Sequence, residues 1–423
     1  MSLDPLQIRP DFPILQRKSA SGAPLAFLDN AASAQRPQVV IDAISDCYQR
    51  YYANVHRGIH TLSEESTAAY EAARETTREF IGARSHAEVV FAAGTTAAIN
   101  TVAHSWGGEN LAADDVVLLT IAEHHANIVP WHQLAERIGC RVEFLPLRDD
   151  FTIDDAVVQA KLDSLRPKLF SFASCSNVLG TNFPVAKWTG MAHAAGATVL
   201  VDAAQGAPHQ AIDVQHWDAD FVVFSGHKLC GPTGIGVLYG KETLLDAMPP
   251  FLGGGGMIDR VTTTGFSPTG LPEKFEAGTP PITEAIGLAA AMRYLQSVGM
   301  DNIQAHEHVL CQAADAALRE IEGVEILGPT PDRKAGIVSF TVDGIHAHDI
   351  AQWLDTRGVA VRAGHHCAMP LHESVGKTAS TRASFYLYNT LEEVDRLVQA
   401  VKEARDKFMR GGRRRRRRSP SPA

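Results

Sequence analysis

Seven short, mostly apolar runs separated by amphipathic stretches constrain this chain more than any other feature. The runs cover residues 88–91, 116–121, 142–145, 168–174, 198–201, 221–225 and 236–239. Between them, residues 64–81, 96–105, 128–138 and 185–195 carry helical periodicity. Strand–helix alternation predicts a mostly parallel sheet, because a parallel neighbour needs a long crossover and a helix supplies it. The strand runs are continuously apolar rather than alternating, which agrees with burial on both faces. The expectation is an α/β fold with a mostly parallel seven-stranded sheet flanked by helices.

The second half reads differently. Residues 252–281 hold Gly253-Gly254-Gly255-Gly256, several threonines and four prolines, and read as a long excursion with a hairpin that reaches a neighbouring subunit. A helix over 283–298 follows, closed by Gly299. Then come a strand at 336–342, a helix at 347–357, a strand at 359–362 and a final helix from Leu391, with Thr390 and Glu393 spaced as a capping box. At 423 residues the chain exceeds one core. The expected division is a large domain over 28–290 and a smaller α+β domain built from 1–27 and 291–410. Residues 411–423 are basic and of low complexity, and read as a disordered, solvated tail.

The formal charge of −9 argues against nucleic-acid binding by the folded body, since six of the positive charges sit in the arginine run 413–418. The cysteines (Cys47, Cys140, Cys175, Cys230, Cys311, Cys367) form no CxxC pair, so neither a disulfide framework nor a zinc knuckle is readable. Reduced thiols in a cytoplasmic protein fit best. The first fifteen residues lack the apolar core of a signal peptide, and no apolar run is long enough to span a bilayer.

Chemistry concentrates at strand ends. Lys228 follows the apolar run Phe221-Val222-Val223-Phe224 within Ser225-Gly226-His227-Lys228. Asp202 closes Thr198-Val199-Leu200-Val201. A lysine able to form an imine, with a carboxylate able to pair with a pyridinium nitrogen, is the minimum apparatus for pyridoxal 5′-phosphate. Lys228 alone is a surface charge in most chains, and Asp202 alone is a helix cap. Gln205 stands where it could bond the ring's phenolic oxygen. Gly94-Thr95-Thr96 lies between a strand and a helix and offers a phosphate site, or a simple cap. Ser225 and His227 could also donate to a phosphate. In Glu123-His124-His125-Ala126-Asn127 the adjacent histidines diverge and no third ligand is spaced for a metal; one imidazole could stack on a flat ring. Asn177 could touch a substrate carboxylate, and Arg362 and Arg382 could clamp it, or serve as ordinary ion-pair partners. Cys367, in Gly364-His365-His366-Cys367, sits on a loop where neighbouring imidazoles and Arg362 could favour the thiolate; free cysteines are more often buried and inert. An aldehyde cofactor with a mobile thiol suggests sulfur chemistry on an amino acid.

In this order the motifs resemble the cysteine desulfurases of the class V aminotransferase family, fold-type I enzymes, and within them the SUF-type group II branch. The matching stretches include Leu28-Asp29-Asn30-Ala31-Ala32-Ser33, Val55-His56-Arg57-Gly58, Gly94-Thr95-Thr96, Glu123-His124-His125-Ala126-Asn127, Ser176-Asn177-Val178-Leu179-Gly180, Val201-Asp202-Ala203-Ala204-Gln205, Phe224-Ser225-Gly226-His227-Lys228, Phe275-Glu276-Ala277-Gly278-Thr279-Pro280 and Arg362-Ala363-Gly364-His365-His366-Cys367-Ala368. The resemblance implies that Lys228 holds the cofactor and moves the substrate Cα proton. It implies that His124 stacks on the ring and shuttles protons in catalysis, that Asp202 and Gln205 bind the ring, and that Thr95, Thr96, Ser225 and His227 bind its phosphate. Thr279 resembles the phosphate ligand given by the other subunit of a homodimer with a shared active site. Asn177 and Arg382 resemble the carboxylate holders, Cys367 the nucleophile, and Arg362 and His56 residues at the site entrance.

The implied reaction converts L-cysteine to L-alanine with a persulfide left on Cys367, passed to a sulfur-acceptor protein of the SUF system for iron–sulfur cluster assembly. Selenocysteine lyase, or activity on both amino acids, is the alternative that the same motifs allow. A metal- or RNA-binding role for His124-His125, His346, His348, His365-His366 and the basic tail uses none of the strand-end pattern. Ordinary amino-group exchange needs no thiol loop.

Overall fold

The apolar runs form the strands they predict. In the computed structural model, which describes residues 3–20 and 22–416, they are β1 (Val89–Ala92), β2 (Val116–Thr120), β3 (Arg141–Leu145), β4 (Leu169–Ala173), β5 (Thr198–Asp202), β6 (Phe221–Ser225) and β7 (Gly236–Gly240). They make one seven-stranded sheet in the order β1-β7-β6-β5-β4-β2-β3. Only β7 is reversed, pairing antiparallel with both β1 and β6. The longer helices that precede or link these strands are α1 (Gln38–Arg50), α2 (Thr61–Ile81), α3 (Thr95–Asn110), α4 (Val129–Ile138), α5 (Asp155–Leu165) and α6 (Val185–Ala194). After β2 the chain builds outward to β3, then returns to the other side of β2 to lay down β4, β5 and β6. That reversal opens a crevice at the carboxyl ends of β2 and β4, the place where open parallel sheets bind ligands.

The sheet belongs to a unit made of residues 33–176 and 182–301. Its core gathers Val117, Leu119, Leu169, Leu200, Phe221, Val223 and Leu238 from the strands with Trp106 and Trp131 from the helices. Helix α7 (Ile282–Val298) buries residues around its whole circumference and packs on α1 and α2. Before it, the Gly-rich excursion contains the expected hairpin, β8 (Ile258–Val261) with β9 (Phe266–Pro268). The same unit holds a buried ion pair that the motif around Glu276 did not announce. Arg74 donates to Glu276 at 2.7 Å, and Tyr70 and the Phe91 amide donate to the same carboxylate.

The second unit comprises the described residues of 1–32, 177–181 and 302–423. Four antiparallel strands, β10 (Val324–Leu327), β11 (Ile337–Val342), β12 (Arg362–Gly364) and β13 (Ser380–Ser384), lie in the order β10-β11-β13-β12. Helices α8 (Met300–Arg319, within this unit from residue 302), α9 (Ala347–Asp355) and α10 (Leu391–Arg416) complete it. Leu310, Ala314, Leu318, Val338, Phe340, Ile350, Leu354, Leu397 and Val401 form its core. The expected capping box forms at α10: Thr390 N donates to Glu393 Oε2 at 3.1 Å, and Glu393 N to Thr390 Oγ1 at 3.3 Å.

Two expectations change. The strand expected over 359–362 is two strands: Val359–Ala360 pairs in parallel with Ala26–Phe27, whereas β12 joins the four-stranded sheet. A four-residue β-branched run does not disclose which partner it will have. Gly299 closes α7 at φ 91, as expected, and turns the chain into α8, which begins at the next residue. Helix α10 also runs through Arg416, into the segment expected as a disordered tail; arginine is a good helix former and extends a helix already nucleated. The rest of that tail, residues 417–423, lies outside the described residues. Among the described residues no helix is long and apolar enough to cross a membrane.

Candidate active site

The carboxyl edge of the large sheet brings together most of the residues singled out at strand ends. Asp202, the last residue of β5, sits opposite Ala173 of β4 and Val223 of β6. It is only 4% exposed. Burial pushes its carboxyl pKa up, while the charge of Lys228 and a 2.9 Å hydrogen bond from the Ala204 amide pull it back. Lys228 is half-buried in the short 3-10 turn Gly226–Lys228 that follows β6. A lysine whose field reaches a buried carboxylate is a charge pair held where solvent screens it weakly. Gln205 is buried three residues beyond Asp202.

The start of α3 is built for an anion. Gly94 caps the sixteen-residue helix at φ 113 without a side-chain bond of its own, which leaves the helix start, with the positive end of its dipole, open to an anion. A Cβ on Gly94 would lie 3.3 Å from Ser225 Oγ, and one on Gly236 would lie 2.6 Å from Gly94 Cα, so both positions need glycine for close approach. The Thr95 amide donates to Ser225 Oγ at 2.8 Å, and the Thr95 hydroxyl meets the same oxygen at 2.8 Å. Thr96 is exposed beside them. His227 is half-buried; burial first, then the charges of Lys228 and Arg36, drive its pKa down to about 4. It is therefore neutral at physiological pH, an imidazole rather than a cation.

His124 caps the 3-10 turn His125–Asn127 after β2, its Nδ1 accepting from the Ala126 amide at 3.1 Å. In the neutral ring the proton therefore sits on Nε2. The His124 and His125 rings diverge, with centroids 6.3 Å apart and planes at 47°. No group of three His, Cys, Asp or Glu side chains suited to a metal occurs among the described residues. Beneath His124 lies a group the sequence reading missed. Glu123 is fully buried, and it accepts from Thr120 Oγ1 at 2.5 Å, Asn127 Nδ2 at 2.8 Å and the Ala173 amide at 3.1 Å. Asn127 in turn accepts from Trp131 Nε1 and Ser171 Oγ. Glu123 thus ties the ends of β2 and β4 together at the crevice. An ionisable residue directly after an apolar strand was the available signal.

His56 and Thr279 lie elsewhere in this unit. Both are exposed and line one cleft of about 490 Å³, which neither Asp202 nor Lys228 lines. His56 stands at φ 69, and its ring meets Glu71 Oε1 at 2.8 Å.

In the second unit, Arg362 of β12 and Arg382 of β13 face each other in register. Arg382 is buried; its Nη1 donates to the Asn177 carbonyl at 2.7 Å and its Nη2 to Asp29 Oδ1 at 3.3 Å. Burial lowers its pKa to about 10, against the pull of Asp29. Asp29 in turn is raised by burial, against both arginines. The Asn177 side-chain amide is committed to the His366 carbonyl at 2.8 Å. Cys367 is half-buried at φ 58, directly after His366 at φ 50. Two successive non-glycine residues in the left-handed region form a strained turn that surrounding contacts must hold. Asn177, Arg362, Arg382 and Cys367 therefore form one cluster.

Residues 26–397 match the aminotransferase class-V family. The chain is 48% identical over 413 residues to the cysteine desulfurase of Haloferax volcanii, covering 95% of this chain and 97% of that one. It is 50% identical over 407 residues to the probable cysteine desulfurase of Halobacterium salinarum, covering 96% and 98%. The CsdA cysteine desulfurase of Escherichia coli, solved as an S-sulfonic acid, superposes with a TM-score of 0.88 at 39% identity over 96% of this chain and 99% of that one. The chain belongs to the aminotransferase class-V family, among its cysteine desulfurases.

Proposed function

We propose that the protein is a pyridoxal-phosphate-dependent cysteine desulfurase, converting L-cysteine to L-alanine and leaving a persulfide on Cys367. The observation that carries the reading is Lys228 and buried Asp202 at adjacent strand ends, on the same sheet edge as the glycine-capped start of α3. The donor set fits the cofactor: a carboxylate for a ring nitrogen, an amine for an aldehyde, and a helix N-terminus with hydroxyls for a phosphate. Asp202 and Gln205 would hold the ring, His124 its face, and Thr95, Thr96, Ser225 and His227 the phosphate. Bound there, pyridoxal phosphate supplies an electrophilic aldehyde and a ring that accepts electron density.

The chain's own residues do the rest. Asp202, buried and within reach of the Lys228 charge, would pair with the ring nitrogen and favour a proton there. Lys228 takes the Cα proton of cysteine and returns it. Arg382 and Asn177 orient the substrate carboxylate, and Arg382 Nε, buried without an acceptor among the described residues, is a donor suited to it. Arg362 and His56 would act at the entrance, the role the resemblance gives them. The Cys367 thiolate then takes the substrate sulfur: an S–S bond forms, the C–S bond breaks with its pair left on carbon, and protonation of that carbon yields alanine.

The finer reading extends to a homodimer in which Thr279 serves the partner's phosphate site, to a cytoplasmic setting, and to delivery of the persulfide sulfur to a SUF-type acceptor for iron–sulfur cluster assembly. Cys367→Ser tests the core of it: the visible cofactor band is retained and persulfide formation is lost. Full desulfuration by that variant would refute the role.

A further inference from the structure

Behind the Cys367 turn lies a buried chain of polar groups that the reaction above does not use. His366 Nε2 stands 3.1 Å from the Ser380 carbonyl oxygen and 3.1 Å from Ser380 Oγ. His372 Nε2 stands 3.1 Å from the same Oγ, and His372 Nδ1 lies 3.0 Å from the Ala368 carbonyl. All three side chains are buried.

The protons can be placed from the two ends. A backbone carbonyl only accepts, so His366 Nε2 and His372 Nδ1 both carry hydrogen. His372 Nε2 is then a lone pair, and the Ser380 hydroxyl donates to it while accepting from His366. Burial is the first cause holding both imidazoles below their ordinary pKa. His366, with Arg382 adding to the effect, falls to about 2, so both rings are neutral and the pattern does not scramble near neutrality.

This chain brackets the strained residues. His366 precedes Cys367, and His372 lies on the short helix Met369–Ser374 that follows it. Ser380 belongs to β13, two residues before Arg382. One hydroxyl thus fastens both flanks of the thiol turn to the strand that carries the carboxylate-binding arginine. Asn177 holds the same turn from another side, through the His366 carbonyl.

We propose that Ser380 and His372 are positioning residues for Cys367: together they hold His366 as its Nε2–H tautomer and keep the thiol turn in its left-handed conformation. This rests on the reading of Cys367 as the sulfur-accepting thiol. The test uses the holoenzyme and two readouts independent of turnover, ¹⁵N chemical shifts of labelled histidines and the rate of Cys367 alkylation by iodoacetamide. In the parent, His366 resonates as the Nε2–H tautomer and His372 as the Nδ1–H tautomer. Ser380→Ala and His372→Leu each raise Cys367 alkylation roughly tenfold, the scale of losing one buried hydrogen bond. His372→Gln, which keeps an acceptor for the Ser380 hydroxyl, restores the parent rate. An Nδ1–H tautomer at His366 in the parent overturns the proposal without any variant. So does parent-like alkylation in both Ser380→Ala and His372→Leu with the cofactor band intact. Persistent desulfuration by Cys367→Ser would instead remove the catalytic reading while leaving these results interpretable.

Discussion

Glu123→Gln should flatten the pH dependence of stability. Burial is the first cause that moves the Glu123 carboxyl from its usual 4.5 up to about 7; the nearby Asp202 charge adds to it, and bonds from Thr120, Asn127 and Ala173 oppose it. Below pH 4.5 the group is protonated in both folded and unfolded chains. As pH rises, the unfolded chain releases its proton first and the folded chain holds on, so stability falls until the folded group also ionises near pH 7. A gap of that size, at roughly 1.4 kcal/mol per pH unit, is worth about 3 kcal/mol. With an unfolding entropy of about 2 cal/mol/K per residue over 423 residues, that corresponds to a fall of about 4 °C in Tm across the window. Glutamine cannot titrate, so this part of the slope disappears. Its amide meets the Asn127 amide head-on and lowers stability by roughly 1–3 kcal/mol, but by the same amount at every pH. The assay is Tm against pH from 4.5 to 7.5 for parent and variant holoenzymes, in which slopes from other groups cancel in the difference. Parallel curves for the two proteins would show that Glu123 does not hold a proton in the folded state.

Arg74→Met should lower stability by roughly 3–5 kcal/mol, because it strands the Glu276 carboxylate, whose side chain is 6% exposed, without its cation; thermal unfolding with the cofactor band as a check on folding reads this. Arg382→Lys should raise KM for cysteine roughly tenfold or more without changing the cofactor spectrum, since an ammonium cannot reproduce the planar fork that reaches Asn177 and Asp29; steady-state kinetics decide it. Thr95→Val should weaken cofactor retention on dialysis and leave KM for cysteine nearly unchanged, as the hydroxyl shared with Ser225 is lost at the helix start.

The large sheet was legible because a strand buried on both faces has no polar side, so β2, β5 and β6 appear in the sequence as apolar runs with polar residues only at their ends. Strand β13 obeys the same burial with the opposite composition. Ser380, Thr381, Arg382, Ala383 and Ser384 are all buried, yet four of the five are polar, and no hydrophobic pattern marks them. What makes that strand possible is partner supply: His366 and His372 at Ser380, Asn177 and Asp29 at Arg382, and the Ala31 amide at Ser384. Those partners come from positions scattered along the chain, and nothing in a local window predicts them.

The candidate site divides along the same line. Lys228 and Asp202 could be read from sequence because Asp202 closes an apolar strand and Lys228 stands in the short turn just after another, and a strand's carboxyl end is where such a residue meets a ligand. Asn177 was read as a carboxylate contact, but its side chain is already engaged with the thiol turn, so its effect on substrate is shared between its own amide and the geometry it imposes on His366 and Arg382. Glu123 escaped notice because a carboxylate beside two histidines reads as solvent-facing, whereas it is completely buried at the sheet's switch point, tied to Thr120, Asn127 and the Ala173 amide. In each case the local rule that charged groups seek water is broken where the fold supplies hydrogen bonds in its place. Breaking it requires long-range contacts that must all form together, so these positions are where a substitution disturbs geometry and chemistry at once.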